Sequence, residues 1–257
     1  MDFDDFLEFL KKWVSEINEF NNREKGDFFL LDKDYFDFDK DKHAYSINET
    51  AIESWKIAKL IFIADNPGTK EKEHFTYLYY DKNDEYIGFF RSAGYKYHNF
   101  LRKIDIKETE SVKFNKCLIS TSKTSDLRKE QISTSKKIVK DFLTNFVLFN
   151  DKVFVLFSGI TGIHKGNSKF SELYDELKNV INAENCGFVG HISRKCFPKK
   201  LSGEMSFEKI KELSKAYKKY LFFCNSSNMD RHNCQGCALY KYCHDNNDPD
   251  DSLYVNP

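Results

Sequence analysis

The pattern of apolar and polar positions divides the chain into helical and extended stretches that alternate. Phe6, Leu7, Leu10, Trp13, Val14 and Ile17 recur at i, i+3 and i+4 spacing with charges between them, which predicts an amphipathic first helix. A phenylalanine- and aspartate-rich stretch, residues 27–42, shows no clear periodicity, and a second helix is predicted from near Glu49, with Ile52, Trp55 and Ala58 three residues apart. Four short apolar runs then read as buried parallel strands: Leu60-Ile61-Phe62-Ile63, Phe114 to Ile119 interrupted by Asn115 and Lys116, Val153 to Phe157, and Gly187-Phe188-Val189. Helical patterns lie between them at about 93–104, 128–149 and 167–182. A last helix over about 206–222 places Phe207, Ile210, Leu213, Ala216 and Tyr217 on one side. Alternating strands and helices predict a three-layer α/β/α sandwich around a central four-stranded, mainly parallel sheet.

An open sheet of this kind binds its ligand beyond the carboxyl ends of its strands. The segments to inspect are therefore Ala64-Asp65-Asn66-Pro67-Gly68 after the first strand, Ser120-Thr121-Ser122-Lys123 after the second, and Gly190-His191-Ile192-Ser193-Arg194 after the fourth.

With 257 residues, 40% of them hydrophobic, the chain has material for one main core and a small appendage. No apolar run reaches the roughly 18 residues of a membrane span, and the acidic start Met1-Asp2-Phe3-Asp4-Asp5 is unlike a secretory signal, so a cytoplasmic location away from membranes is expected. Net charge is zero but unevenly spread: residues 1–50 carry 14 acidic and 7 basic side chains, residues 111–220 carry 21 basic and 11 acidic. A basic face on a neutral protein can hold a phosphate backbone, because such contacts are local. No coiled-coil pattern points to an oligomer or an obligate protein partner, and a monomer is expected.

Ala64-Asp65-Asn66-Pro67-Gly68 after a hydrophobic strand resembles the first motif of the uracil-DNA glycosylase superfamily, nearest to the Gly-x-Asn-Pro-Gly of its mismatch-specific and single-strand-selective branches. Gly190-His191-Ile192-Ser193-Arg194 resembles the second motif, His-Pro-Ser-Pro-Arg, with Ile192 in place of the first proline and Arg194 in place of the second. Between them, Gly88-Phe89-Phe90-Arg91-Ser92-Ala93-Gly94 is similar to the segment that supplies the aromatic floor of the base pocket, and Asn115 is placed like the asparagine that reads the flipped base. The resemblance covers about residues 59–222. It implies a DNA glycosylase that flips a uracil-like or 5-modified pyrimidine out of DNA and hydrolyses its glycosidic bond, in repair or antiphage defence.

The same resemblance assigns roles. Asn66 would position the attacking water, with Asp65 as the rival, and His191 would stabilise the departing base. Phe89, or Phe90, would stack on the base while Asn115 hydrogen-bonds its edge. Gly68 stands where uracil-strict members carry a tyrosine, which implies room for a substituent on carbon 5. Ser120, Lys123, Ser193, Arg194 and Lys195 are the expected DNA contacts. Two other readings stay open: an inactive DNA-binding module of the same fold, and a metal-cluster nuclease.

The nuclease reading comes from Cys224, Cys234, Cys237 and Cys243, whose C-x9-C-x2-C-x5-C spacing without a secretion signal reads as a metal site. Four thiolates suit a [4Fe-4S] cluster or Zn2+. Cys117, Cys186 and Cys196 read as buried small residues. The expected organisation is a glycosylase-like α/β domain over 1–222, its N-terminal helical region being 1–58, a cysteine metal-binding segment over 223–244, and a mobile acidic tail over 245–257.

Overall fold

A computed structural model describes residues 1–24, 27–78, 93–159, 169–177, 179–181, 183–189 and 206–215. In chain order these form α1 (Phe3–Arg23), β1 (Phe36–Asp39), β2 (Ala44–Ile47), α2 (Glu49–Glu53), β3 (Leu60–Ala64), α3 (Thr69–His74), α4 (Ala93–Lys103), β4 (Ser111–Asn115), α5 (Lys129–Phe149), β5 (Phe154–Ser158), α6 (Ser171–Leu177), β6 (Cys186–Val189) and α7 (Phe207–Lys215). The expected C-terminal metal segment and acidic tail lie outside the described residues. No helix among the described residues is long and apolar enough to cross a membrane.

The fold is the expected α/β arrangement, a four-stranded parallel sheet of order β4-β3-β5-β6 flanked by helices. Strand side chains alternate between its two faces. Ile61, Ile63, Val112, Phe114, Val155 and Phe157 pack with α1, α5 and α6 in the larger core, while Leu60, Phe62, Ala64, Phe154 and Leu156 pack with Tyr97, Phe100 and Leu101 of α4 and Ile210 of α7. Burial on both faces is why β3 and β5 read as unbroken apolar runs. The larger core is aromatic: Phe142 of α5 stacks on Phe114 at 4.1 Å between ring centroids and meets Trp13, Trp55 and Phe146 within 6 Å. The Trp13 indole donates to the Ile138 carbonyl at 2.9 Å, tying α1 to α5.

The structure departs from the sequence reading in an unpredicted helix, α3, in a second helix that ends at Glu53 before Trp55 and Ala58, and in three further places. Residues 36–47 form an antiparallel hairpin, with Phe36 opposite Ile47 and Phe38 opposite Tyr45. Tyr45 docks on α1, its backbone exchanging two hydrogen bonds with the Asn18 amide at 2.7 and 2.9 Å. The second sheet strand runs over Ser111–Asn115, not Phe114 to Ile119, so Asn115 closes it. Its polar residues are the reason: Ser111 is met by the Tyr97 hydroxyl at 2.6 Å, and the Lys113 ammonium by Asp32 at 3.2 Å and by Asp34. Finally, α6 spans only Ser171–Leu177, shorter than the predicted helix.

Asp32 is itself fully buried, accepting from Thr76 Oγ1 at 3.1 Å and the Tyr77 N–H at 3.0 Å. Burial pushes its carboxyl above the usual range, against the pull of Lys113. Burial pushes the Lys113 ammonium down, but the two aspartates outweigh it and its net shift is upward. The cluster binds the 29–35 and 75–78 loops to β4.

Truncating the shared aromatic of the larger core tests this packing. Phe142→Ala is expected to lower unfolding stability by about 3–5 kcal/mol through cavity formation, read as a lower urea midpoint at unchanged m-value.

Candidate functional site at the carboxyl edge of the sheet

From β3 the chain crosses to β4 on one side, and from β5 it crosses to β6 on the other, so the connections diverge between β3 and β5. The carboxyl end of that gap is where an open sheet makes its ligand crevice. β3 delivers Asp65 and Asn66 there, β5 delivers Ser158 and Gly159, and the segment after β4 lies across both. That segment extends the β3 pairing briefly, with Lys116 N–H donating to the Ala64 carbonyl at 2.9 Å and Cys117 N–H to the Asp65 carbonyl at 3.0 Å. Farther on, Thr121 N–H donates to the Pro67 carbonyl at 3.1 Å and the Ser120 hydroxyl to the Gly68 carbonyl at 3.0 Å. The Asp65-Asn66-Pro67-Gly68 turn is thus held along its length by residues 117–121.

Asn66 is pinned by its side chain as well. Its amide nitrogen donates to Thr121 Oγ1 at 2.9 Å and to the Pro67 carbonyl at 3.1 Å, and its amide oxygen accepts from Thr124 Oγ1 at 2.9 Å. Donors and acceptors on both ends select one amide orientation. An amide oxygen has a second lone pair, so this one retains capacity to accept from water.

Asp65 is engaged by Lys116, whose ammonium is wholly buried. The Lys116 Nζ donates to Asp65 Oδ1, to the Ser158 carbonyl and, at 3.1 Å, to the Gly159 carbonyl. Three donors meet three acceptors, as a buried ammonium requires. The rings of Phe170 and Tyr174 stand 5.2 and 5.7 Å from Nζ and close the pocket. Burial disfavours the charge, but the Asp65 carboxylate overrides it and raises the ammonium's pKa. The Tyr174 hydroxyl is pushed up to about 12 by its own burial.

Gly159 has φ +88°, and a Cβ there would stand 2.6 Å from Asp65 Oδ1. Backbone conformation and space both demand glycine. Gly68 differs, because its φ of −84° suits any residue, yet a Cβ would stand 2.6 Å from Glu71 Oε2. The Glu71 carboxylate accepts from the Gly68 N–H and, at 3.2 Å, from the Leu78 N–H; burial raises its pKa. The position beside Gly68 is therefore occupied by a carboxylate, and the room for a substituent expected there is not seen.

Asn115 lies one strand away in register with Ala64, its side chain buried. Its Nδ2 has no hydrogen-bond partner among the described residues. A buried amide donor left unpaired costs about 1–3 kcal/mol.

Of the sequence-predicted residues, Asp65, Asn66, Gly68, Asn115, Ser120 and Lys123 share the β3–β4 carboxyl edge. Phe89, Phe90, His191, Ser193, Arg194, Lys195, Cys224, Cys234, Cys237 and Cys243 lie outside the described residues. Ser120 commits its one hydroxyl proton to the Gly68 carbonyl, which fits a turn-holding role better than a phosphate contact. Among the described residues no group of three or more His, Cys, Asp or Glu side chains could hold a metal. Cys117 and Cys186 are buried free thiols, as expected.

The basic stretch is extensively paired. Lys136 meets Glu172 and Glu176 at 3.2 and 2.9 Å, Lys140 meets Glu176 at 3.0 Å, Lys137 meets Glu16 at 3.4 Å, and Arg128 meets Asp27 at 2.8 Å. Lys123 is exposed and has no ion-pair partner among the described residues. The residues that composition and motif did not single out are Lys116, Thr121, Thr124 and Gly159. The signal for Lys116 was a lysine inside an otherwise buried run, Phe114-Asn115-Lys116-Cys117-Leu118.

No protein-family model matches this chain, and no curated protein matches it.

Gly159→Ala tests the close approach to Asp65. It is expected to cost about 1–2 kcal/mol for the left-handed backbone alone, and more for displacing the carboxylate, measured by denaturant unfolding.

Proposed function

We propose that the protein is a monofunctional DNA glycosylase that excises a uracil-like or 5-modified pyrimidine. The observation that carries this reading is the buried Asn115 Nδ2, unpaired among the described residues and in register with the strand end that leads into Asp65-Asn66. That donor suits the carbonyl edge of an extruded base. The pinned Asn66 oxygen suits a water aimed at the anomeric carbon, and the Asp65 carboxylate adds negative charge near the cationic sugar that develops as the bond breaks. His191, donating a hydrogen bond to the departing base, completes the assignment, with Phe89 or Phe90 as the stacking surface. DNA would be held by Lys123 together with Ser193, Arg194 and Lys195. The four C-terminal cysteines would hold a [4Fe-4S] cluster as a structural staple, with no part in the hydrolysis.

Mass-spectrometric detection of free bases from DNAs carrying uracil, mismatched thymine, hydroxymethyluracil or glycosylated hydroxymethylcytosine tests the reading. Release of one of these bases, reduced roughly 100-fold or more in Asn66→Ala and His191→Ala, is expected. DNA binding without any release would instead assign an inactive binding module, and cleavage that stops on magnesium chelation a nuclease.

Metal analysis of anaerobically purified protein is expected to give about four irons and matching labile sulfide per chain, lost when the four cysteines are replaced by serine. Stoichiometric zinc would replace the cluster assignment.

A further inference from the structure

Lysine is among the residues least often buried, and Lys116 is 1% exposed. Two strand-end carbonyls do not explain a charge there, because a water or an amide could satisfy them, and an apolar chain of the same length would fill the volume without desolvating an ammonium. What requires an ammonium is the Asp65 carboxylate. Three features converge on that carboxylate. Lys116 Nζ holds Oδ1, Gly159 supplies backbone without a Cβ where Oδ1 sits, and Thr124 Oγ1 stands 3.5 Å from Oδ2 while donating to Asn66 Oδ1 at 2.9 Å. The result is a path of contact from Lys116 to Asp65 that begins in the dry interior and ends at the turn, with Thr124 beside it giving its one hydroxyl proton to Asn66. Asp65 is the point where it first meets solvent, its side chain 14% exposed against 0% for Lys116.

We infer that Lys116 is a positioning residue for base excision: it holds Asp65 oriented so that the carboxylate faces the sugar on which positive charge develops. The inference rests on the glycosylase reading. Lys116 touches neither base nor sugar and makes no covalent step; its effect passes wholly through Asp65. A lysine that only tied β3 to β5 would support stability alone.

The test compares Lys116→Met, Asp65→Asn and the double variant with the wild-type protein on whichever DNA releases base. Single-turnover release rate, DNA dissociation constant and thermal midpoint are measured for each. Lys116→Met is expected to slow release roughly 10- to 1000-fold with DNA affinity within about threefold of wild type, a loss specific to the chemical step. In the Asp65→Asn background, Lys116→Met is expected to add less than about threefold, because its route of action is already gone. Wild-type release rates in folded Lys116→Met or in Asp65→Asn overturn the inference, as do losses that multiply in the double variant. If Lys116→Met fails to fold, the double variant, which leaves no uncompensated charge, decides the matter against Asp65→Asn alone. A wild-type protein that releases no base sinks the glycosylase reading and this inference with it, whereas release that is lost in Asn66→Ala and kept in Lys116→Met sinks only the inference.

Discussion

An ammonium group removed from water must be given three acceptors, at least one of them charged, or it will not stay there. Lys116 meets that demand with a carboxylate from the end of β3 and two carbonyls from the end of β5, and in doing so determines where those two strand ends lie relative to each other. Much of the carboxyl edge follows. Gly159 has to lack a Cβ because Asp65 stands against it, and Asp65 stands there because Lys116 holds it. The Asn66-Pro67-Gly68 turn then lies within reach of Ser120, Thr121 and Thr124. A second buried lysine three residues earlier, Lys113, solves the same electrostatic problem with Asp32 and Asp34 and secures the N-terminal loops to the same strand.

Such pairs are a poor way to gain stability. Desolvation costs about as much as the attraction returns, and a hydrophobic substitute is often no worse. Their benefit is geometric: removing one partner strands a charge, so alternative arrangements of the edge are penalised. For Asp32–Lys113, deep beside β4 and distant in sequence from the turn, geometry is a sufficient explanation. Asp65–Lys116 differs from it in place, since its carboxylate is partly open to solvent at the carboxyl end of the sheet between β3 and β5. Tertiary context separates two ion pairs that look alike in composition.

The elements legible in the sequence are those in which one physical demand dominates. α1 carries its stripe from Phe6 to Ile17 because one face packs on α5 and the other meets water, and β3 and β5 are unbroken apolar runs because both their faces are covered. β4 was placed three residues late because Ser111 and Lys113 have their polarity answered by Tyr97, Asp32 and Asp34, partners distant in sequence. The apolar Cys117-Leu118-Ile119 that resembled its continuation is buried instead against Ser135, Gln131 and, through an isolated bridge, Phe29. The β1–β2 hairpin did have a local signal, the alternation Phe36-Asp37-Phe38-Asp39, masked by the acidic composition around it. At the carboxyl edge of the sheet, the positions of Asp65, Asn66 and Asn115 were legible because they follow or close apolar runs that form strands. Thr121, Thr124 and Gly159 were not, since each is ordinary until the fold brings it against Asp65 or Asn66.

Charge shows the same limit. An excess of ten basic residues between 111 and 220 suggests a surface for DNA, but several of those lysines spend their charge inside the protein's own fold, on Glu172, Glu176, Glu16, Asp32, Asp34 and Asp65. The exposed pairs contribute little to stability and remain available to exchange partners, because solvent screens them and a phosphate competes well with a surface carboxylate. The buried pairs do not. On the proposed reading, what would distinguish a DNA-facing edge is location rather than a basic total: Lys123 stands on the loop that holds Asn66, so a phosphate bound there would lie beside the turn. On the same reading, backbone contacts of this kind would align the strand without carrying sequence information, which leaves recognition to the base pocket.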